Sequence, residues 1–253
     1  MSTPCLLIIQ PDETAPLGPL GDWLTEAGAE LDVRLPPGDQ MPGDIDGYQG
    51  VICLGGGMNA EDDQTHPWLA EVRSLLAKTT RKGVPTLGIC LGGQLLAVAT
   101  GGRVARGDAG PEVGAGLVSK KDAAWTDPLF AELPLMPDVM QFHEDVITAL
   151  PPGAVLLASA PRYPHQAFRL GRYAYGLQFH IETSVEVVQS WAAQAPALVA
   201  TARQDAFTTE TLTTAHNDLA EAWRPFVIRF VNLCAGTLAA ASSQPPSLPL
   251  TEL

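Results

Sequence analysis

The segment 83–97, with the sequence GVPTLGICLGGQLLA, decides the fold class of this 253-residue chain. Its first half is an apolar run typical of a strand buried on both faces, and its second half is an apolar run with helical character. Cys90 separates the two halves, with Gly88 and Gly92 two residues before and after it. Because so tight a turn leaves no room for side chains at those two positions, the spacing predicts a nucleophile elbow with Cys90 at its tip.

An alternation of buried strands and helices extends outward from this turn. The pattern predicts strands at 5–10, 31–35, 51–54 and 84–89, with helices beginning near 20, 67 and 91. Such a repeat is typical of a three-layer α/β fold, a mostly parallel central sheet with helices on both faces. Binding sites in these sheets lie at the carboxyl ends of the strands, where the glycine-rich segments 55–57 and 88–93 fall.

The second half of the chain has a different pattern. Short apolar runs predict short strands between about 103 and 180, and Ser184 is a suitable N-cap for the helix that follows. A longer helical stripe covers 205–239, with a kink expected at Pro225. We therefore expect a main domain at 1–200, a helical extension at 201–241 packed on the same domain, and a disordered tail at 242–253.

The charge balance excludes several classes of protein. The chain has 15 basic and 28 acidic side chains, a net charge of −13 and a pI near 4.6. Nucleic acids and anionic membranes attract basic surfaces, so we expect neither as a partner. No apolar run approaches the about 20 residues of a membrane span, and the N-terminus lacks a basic signal-peptide segment, so we expect a cytoplasmic protein.

The cysteines can be sorted by their spacing. None of Cys5, Cys53, Cys90 and Cys234 forms a CxxC pair, so we expect free thiols, no metal and no cofactor.

At Cys90, the unpaired N–H groups of the following helix favour the thiolate, and the amide of Leu91 would face an oxyanion. The alternative for Cys90 is a buried cysteine that packs at the end of a strand.

A cysteine nucleophile needs a histidine as its base and a group that orients the histidine. The candidates are His66, His143, His165, His180 and His216. His180 ends the apolar run AYGLQF, and Glu182 follows two residues later, where an extended chain places both side chains on one side. We expect His216 to be solvated on the C-terminal helix. A structural histidine at a strand end remains the alternative for His180.

Four motifs in order carry a resemblance to a known family. They are LGGGMNAED (54–62), GVPTLGICLGGQLLA (83–97), QFHED (141–145) and YGLQFHIE (175–182). Together, over about residues 1–195, they resemble the triad-type class I glutamine amidotransferases. The resemblance is strongest to stand-alone relatives of the glutaminase domain of GMP synthase.

The resemblance implies a flavodoxin-like fold and a role for each matching residue. Cys90 would be the nucleophile, His180 the general base and acid, and Glu182 the group that orients His180. The oxyanion hole would comprise the backbone amides of Gly57 and Leu91. Substrate would contact Gly56, Gln94, His143 and Asp145, the last two at the rim. The alternative for His143 and Asp145 is a solvated loop pair. The alternative for the glycines at 55–57 is an ordinary turn at the end of a strand.

Two positions depart from the pattern of many relatives. Gly57 stands where they carry proline after two glycines, and Ile181 stands where they carry the proline of His-Pro-Glu. The first change leaves the identity of the oxyanion donor open. The second favours the stand-alone branch over the synthetase-linked one.

The implied reaction is hydrolysis of the γ-carboxamide of glutamine, or of a γ-glutamyl amide, through a γ-glutamyl thioester. The ammonia would pass to a separate partner such as a synthetase subunit, because the chain carries no ATP-binding motif of its own. The alternatives are a self-contained γ-glutamyl hydrolase, a catalytically silent binding or regulatory relative, and an unrelated cysteine hydrolase of the dienelactone type. Residues beyond 200 would cap the sheet, cover the pocket or form a homodimer surface.

Overall fold

The computed structural model describes residues 3–241. Its strands are β1 (Cys5–Ile9), β2 (Glu30–Arg34), β3 (Gly50–Cys53), β4 (Thr86–Ile89), β5 (Arg103–Arg106), β6 (Glu112–Leu117), β7 (Ser119–Lys120), β8 (Asp138–His143), β9 (Asp145–Ala149), β10 (Val155–Ser159), β11 (Ala167–Leu170) and β12 (Ala174–Leu177). Its helices are α1 (Pro19–Glu26), α2 (Trp68–Lys82), α3 (Leu91–Ala99), α4 (Val185–Gln194), α5 (Pro196–Val199) and α6 (Thr209–Cys234). The predicted tail at 242–253 lies outside the described residues.

A central sheet of eight strands organises the domain, in the order β2-β1-β3-β4-β12-β11-β10-β7. The strands from β2 to β12 are mutually parallel, whereas β11, β10 and β7 continue the sheet in antiparallel fashion. Helices cover both faces through two separate apolar clusters. The predicted mostly parallel three-layer α/β fold is therefore confirmed.

The antiparallel half shows where local patterns fell short. The strand β5 was missed because its RVAR sequence is mostly exposed and has no apolar run. The apolar run GLVSK at 116–120, typical of one strand, divides between β6 and β7, which belong to different sheets. The strand β12 ends at Leu177, so His180 lies three residues beyond it and forms an isolated bridge to Met140 instead.

The helix α6 packs along the same core as α1 and the central sheet. Its buried face includes Trp223, Phe226 and Phe230, which are at most 1% exposed. Phe130 contacts Trp223 and Phe226 edge to face, an arrangement that aromatic rings prefer. The aromatic stripe therefore attaches this C-terminal segment to the rest of the described chain. None of the helices within 3–241 is long and apolar enough to cross a membrane.

The glycines around Cys90 allow α3 to approach the sheet at backbone distance. A Cβ on Gly92 would overlap the carbonyl oxygen of Cys53 at the end of β3, and one on Gly88 would overlap the carbonyl oxygen of Gly92. A Cβ on Gly93 would come within 2.5 Å of the Leu177 carbonyl oxygen at the end of β12. The two neighbouring strands thus hold the start of α3 on both sides.

Gly92→Ala is therefore expected to lower the free energy of unfolding by about 3 kcal/mol, because the backbone of β3 cannot move aside without disturbing the sheet. Urea unfolding followed by circular dichroism measures the change. Gly43→Ala is the matched control, since a Cβ there meets nothing within 4 Å, and its effect should stay within about 0.5 kcal/mol. Equal stability of the two variants would contradict this account of the turn.

Candidate active site

Cys90 lies on the strained strand-to-helix turn that its sequence predicts. Its φ of 50° makes it the one non-glycine residue with positive φ among residues 3–241. It is the N-cap of α3, its side chain is 5% exposed, and it borders the open cavities described below. A strained conformation at a cavity is typical of functional residues, because packing must enforce it at a cost of about 1–3 kcal/mol.

His180 and Glu182 form a tightly coupled buried pair. The ring nitrogen Nδ1 of His180 lies 2.6 Å from Oε1 of Glu182, and the backbone N–H of Ile181 donates to Oε2 at 2.9 Å. The two side chains are 2% and 1% exposed. Backbone hydrogen bonds in both directions between His180 and Met140 fix the position of this segment. With Nδ1 engaged, Nε2 is the ring nitrogen left to serve Cys90.

The electrostatics of His180 favour the protonated ring. Burial by itself lowers the pKa of His180. The negative charge of Glu182 raises this pKa, as do the charge and hydrogen-bond interactions with Cys90, and together they exceed the effect of burial. The pKa of His180 is raised as a result, from 6.5 to about 10. The structure thus brings Cys90, His180 and Glu182 together, with the protonated ring of His180 between the carboxylate and the sulfur.

The glycine-rich loop after β3 closes over these side chains. A Cβ on Gly55 would lie 2.9 Å from Cε1 of His180 and 3.6 Å from Cβ of Cys90, so only glycine allows this contact. The N–H of Gly57 donates to Oδ2 of Asp12 at 3.1 Å. The N–H of Gly56 has no acceptor within the described chain. Leu91 begins α3, so its N–H lacks an intrahelical partner.

The other predicted substrate residues lie on one side of Cys90. A cavity of about 400 Å³ is bordered by Cys90, Gln94, His143 and Asp145, together with Gly56. The side-chain amide of Gln94 donates to the carbonyl oxygen of Asp145 at 2.9 Å. His143 is 6% exposed and hydrogen-bonds to Gln141 and to the backbone of Asp145. A solvated loop pair is therefore wrong for His143.

Sequence reasoning missed three polar or charged residues of this cavity, Asn59, Arg106 and Glu144. Arg106 of the unpredicted strand β5 lines it and pairs with Glu144, and Asn59 donates to Asp145 at 2.6 Å. Asn59 and Glu144 lie within two of the quoted motifs, which is the signal that was available for them. Arg106 had no such signal, because only the pairing of β5 with β9 brings it here.

A second cavity, of about 220 Å³, lies on the His180 side of Cys90. Its lining includes Asp12, Trp191 and Phe142. The ring of Trp191 lies 4.9 Å from that of His180 and 5.4 Å from that of Phe142. Neither Trp191 nor Asp12 is among the residues predicted for the site, because neither has a local signature of a site residue.

The remaining cysteines and histidines have structural surroundings. All four cysteines are free, and burial raises the pKa of the Cys53 and Cys234 thiols. His66 and His165 contact Asp62 and the backbone of Ile147, respectively. The prediction of a solvated His216 is wrong, because its ring is half-buried and lies 3.1 Å from the hydroxyl of Thr183. None of these groups lines either cavity at Cys90.

The fold and this geometry define an α/β enzyme of the nucleophile-elbow type. The chain belongs to the glutamine amidotransferase class-I family, whose model matches residues 24–190. The predicted family is thereby confirmed, and with it the expectation of an enzyme.

Known relatives include two kinds of enzyme. GMP synthase (glutamine-hydrolyzing) of Thermomicrobium roseum is 38% identical over 142 residues, which are 54% of this chain and 24% of that protein. Gamma-glutamyl peptidase 4 of Arabidopsis thaliana is 29% identical over 147 residues, or 57% of this chain and 58% of that protein. The matched segments thus span about a quarter and about three fifths of these two relatives.

Solved structures match over a larger share of the chain. A glutamine amidotransferase from Thermotoga maritima superposes with a TM-score of 0.79 at 30% identity, covering 91% of this chain and 99% of that one. A second, from Methylobacillus flagellatus, has a TM-score of 0.78 at 25% identity and covers 96% and 98%.

Proposed function

We propose that this protein hydrolyses the γ-carboxamide of glutamine or of a γ-glutamyl amide, with Cys90 as nucleophile, His180 as base and acid, and Glu182 as the orienting carboxylate. The observation that carries the proposal is the strained Cys90 next to a buried histidine held at 2.6 Å by a glutamate. The relatives named above support the reaction class, since glutamine-hydrolysing and γ-glutamyl enzymes both occur among them.

The reaction begins with attack of the Cys90 thiolate on the Cδ carbonyl. A carbon–sulfur bond forms while the carbonyl electrons move onto the oxygen. When this tetrahedral intermediate collapses, the carbon–nitrogen bond breaks and His180 gives its proton to the departing amine. His180 then takes a proton from water, and the resulting hydroxide attacks the thioester carbon. The carbon–sulfur bond breaks, glutamate leaves, and the Cys90 thiolate is restored next to the protonated His180.

The developing oxyanion needs at least two N–H donors. Leu91 at the start of α3 serves as one, as the sequence predicts. The sequence prediction of Gly57 as the other competes with Asp12, to which the Gly57 amide donates. We therefore assign the second donor to Gly56, whose amide has no acceptor among residues 3–241.

The glutamyl end of the substrate fits the cavity on the Gln94 side. Glutamine carries an α-carboxylate and an α-ammonium group, and this cavity presents Arg106 together with Glu144 and Asp145. Opposite charges at one end of a small pocket suit a zwitterion. Gln94, His143 and Asp145 would thus fix the end of the substrate that does not react.

Diazo-oxo-norleucine, an electrophile that mimics glutamine, tests this proposal. We expect it to label one thiol per chain and to abolish glutamine-dependent ammonia release in parallel, with peptide mass spectrometry placing the label on Cys90. Added glutamine should slow the labelling. Labelling of several cysteines at equal rates, or full ammonia release after labelling, would overturn the proposal.

The fate of the ammonia is a separate part of the proposal. A synthetase-type partner subunit would receive it, as the relation to GMP synthase suggests. Mixing with such a subunit should then raise glutamine hydrolysis several-fold, whereas a self-contained hydrolase would show the same rate alone and mixed.

A further inference from the structure

Two cavities meet at Cys90, and the proposed reaction uses only one of them. The Gln94-side cavity accounts for the glutamyl group. The cavity of about 220 Å³, here called the amine cavity, has Asp12, Phe142, His180, Trp191 and Gln194 in its lining, together with Cys90. Among the predicted site residues, His180 lines only this second cavity.

The position of His180 determines which half of the substrate faces the amine cavity. His180 must protonate the nitrogen that leaves, so that nitrogen lies on the His180 side of the reacting carbon. The glutamyl carbon chain then extends to the opposite side, toward Gln94. Whatever is attached to the leaving nitrogen therefore points into the amine cavity.

The amine cavity is larger than ammonia needs. A cavity of about 10–15 Å³ holds one water molecule, and ammonia is of similar size. The observed volume of about 220 Å³ is more than tenfold greater. A leaving group with a body of several carbon atoms fits this space.

The walls of the cavity specify the chemistry of that body. Trp191 and Phe142 form an aromatic wall, and the indole N–H of Trp191 is fixed by donation to the carbonyl oxygen of Thr14 at 2.7 Å. A preorganised aromatic surface binds apolar groups and also attracts cations. Lys and Arg are absent from the lining.

Asp12 supplies the charge in the cavity. Its Oδ1 accepts hydrogen bonds from the backbone N–H and the hydroxyl of Thr14, and its Oδ2 accepts one from Gly57. Although burial alone raises the pKa of Asp12, these bonds hold it below its ordinary value, so the group is ionised. No Lys or Arg in the described part of the chain forms an ion pair with it.

We propose that the amine cavity binds the leaving half of a γ-glutamyl amide whose amine has an aromatic or apolar body, a second positive charge and no carboxylate. This inference rests on the proposed function and names its substrate class. The cation would lie near Asp12 and the body against Trp191 and Phe142. An amino-acid leaving group is excluded, because its carboxylate would face Asp12 with no basic residue in the lining.

Four substrates separate the possibilities, with glutamate release as the common measurement. They are glutamine, γ-glutamylbenzylamide, γ-glutamyl para-(aminomethyl)benzylamide and γ-glutamylphenylalanine. We expect kcat/KM to be highest for the cationic aminomethyl compound, at least about tenfold above that of the neutral benzylamide. The neutral benzylamide should exceed glutamine, and γ-glutamylphenylalanine should be at least about tenfold poorer than the benzylamide.

Charge variants test the assignment to this cavity. Gln194 is an exposed lining residue at the end of α4, so Gln194→Lys should fold normally. The new positive charge should lower the ratio of kcat/KM for the cationic aminomethyl compound to kcat/KM for γ-glutamylphenylalanine by about tenfold. Asp12→Asn should remove most of the preference of the cationic over the neutral benzylamide. Ala193→Lys is the control, because it adds the same charge at an exposed neighbour outside the lining and should leave the ratio unchanged.

The outcomes distinguish this inference from the proposed function. If glutamine is hydrolysed but the benzylamides are not, the cavity is an exit for ammonia toward a partner, and the inference fails while the proposed function stands. The inference is also overturned if γ-glutamylphenylalanine is hydrolysed as fast as the neutral benzylamide. The same holds if Ala193→Lys shifts the kcat/KM ratio as much as Gln194→Lys does. If all four substrates resist hydrolysis and diazo-oxo-norleucine labels no thiol, both the inference and the proposed function fail.

Discussion

Replacement of Cys90 by Ala is expected to lower kcat for glutamine hydrolysis by at least about 10⁴-fold, because the thioester cannot form and the remaining groups only orient water. The fold should be kept, since Ala occupies less space than Cys at the same turn. Steady-state ammonia release measures the loss, and circular dichroism checks the fold. Diazo-oxo-norleucine should no longer label the variant.

Cys5→Ser is the matched control for this prediction. Cys5 lies at the start of β1, remote from the cavities, and burial together with the charges of Asp32 and Glu30 raises the pKa of its thiol. Its replacement should leave kcat within about twofold of the original. Retained activity in Cys90→Ala, or a comparable loss in Cys5→Ser, would remove Cys90 from the mechanism.

Glu182→Gln is expected to lower kcat by about 10³-fold to 10⁴-fold with little change in KM. The carboxylate accepts from both His180 Nδ1 and the backbone N–H of Ile181. A glutamine side chain has only one acceptor oxygen, so it can accept from only one of these two N–H groups. The His180 ring therefore loses either its required tautomer or its orientation. Substrate contacts on the Gln94 side are unaffected, which is why KM should hold.

The same substitution should change how stability depends on pH. The folded-state pKa of His180 is raised to about 10 from a reference of 6.5, so its protonation stabilises the fold fully below about pH 6.5. That contribution is lost as pH rises through 10. We expect the free energy of unfolding of the original protein to fall by about 3 kcal/mol between pH 6.5 and 9.5.

In Glu182→Gln this fall should be smaller, because one of the charges that raise the pKa of His180 is gone. Urea unfolding at the two pH values measures it. Glu221→Gln, an exposed position on α6, is the control and should keep the original pH dependence. An unchanged fall in Glu182→Gln would mean that Glu182 does not set the protonation of His180.

The turn at Cys90 could be predicted because its requirements are local. A strand that reverses directly into a helix imposes glycine at Gly88 and Gly92 whatever the rest of the chain does, and the structure shows backbone carbonyls where their side chains would be. The spacing of His180 and Glu182 is similarly local. Ser184 also behaves as predicted, its hydroxyl accepting from the N–H of Val187 at 3.3 Å.

Other parts of the site had no local signal. The contact of Asp12 with Gly57 joins residues 45 positions apart, and it changed the assignment of the second oxyanion donor. Trp191 reaches His180 because α4 packs against α6 and the indole N–H donates to the carbonyl oxygen of Thr14, a residue far away in the sequence. Arg106 lines the cavity on the Gln94 side because of β5, a strand that its exposed sequence did not indicate.

By itself, the sequence determined the α/β class, the strained turn, the cysteine at its tip and the histidine–glutamate pair, because each follows from spacing within a few residues of chain. Only the tertiary structure decided that β4 lies between β3 and β12, and that two cavities of different chemistry open on either side of the sulfur. A cavity is the space left between segments distant in sequence, so its shape and charge depend on how those segments pack. No periodicity or motif within one segment encodes it.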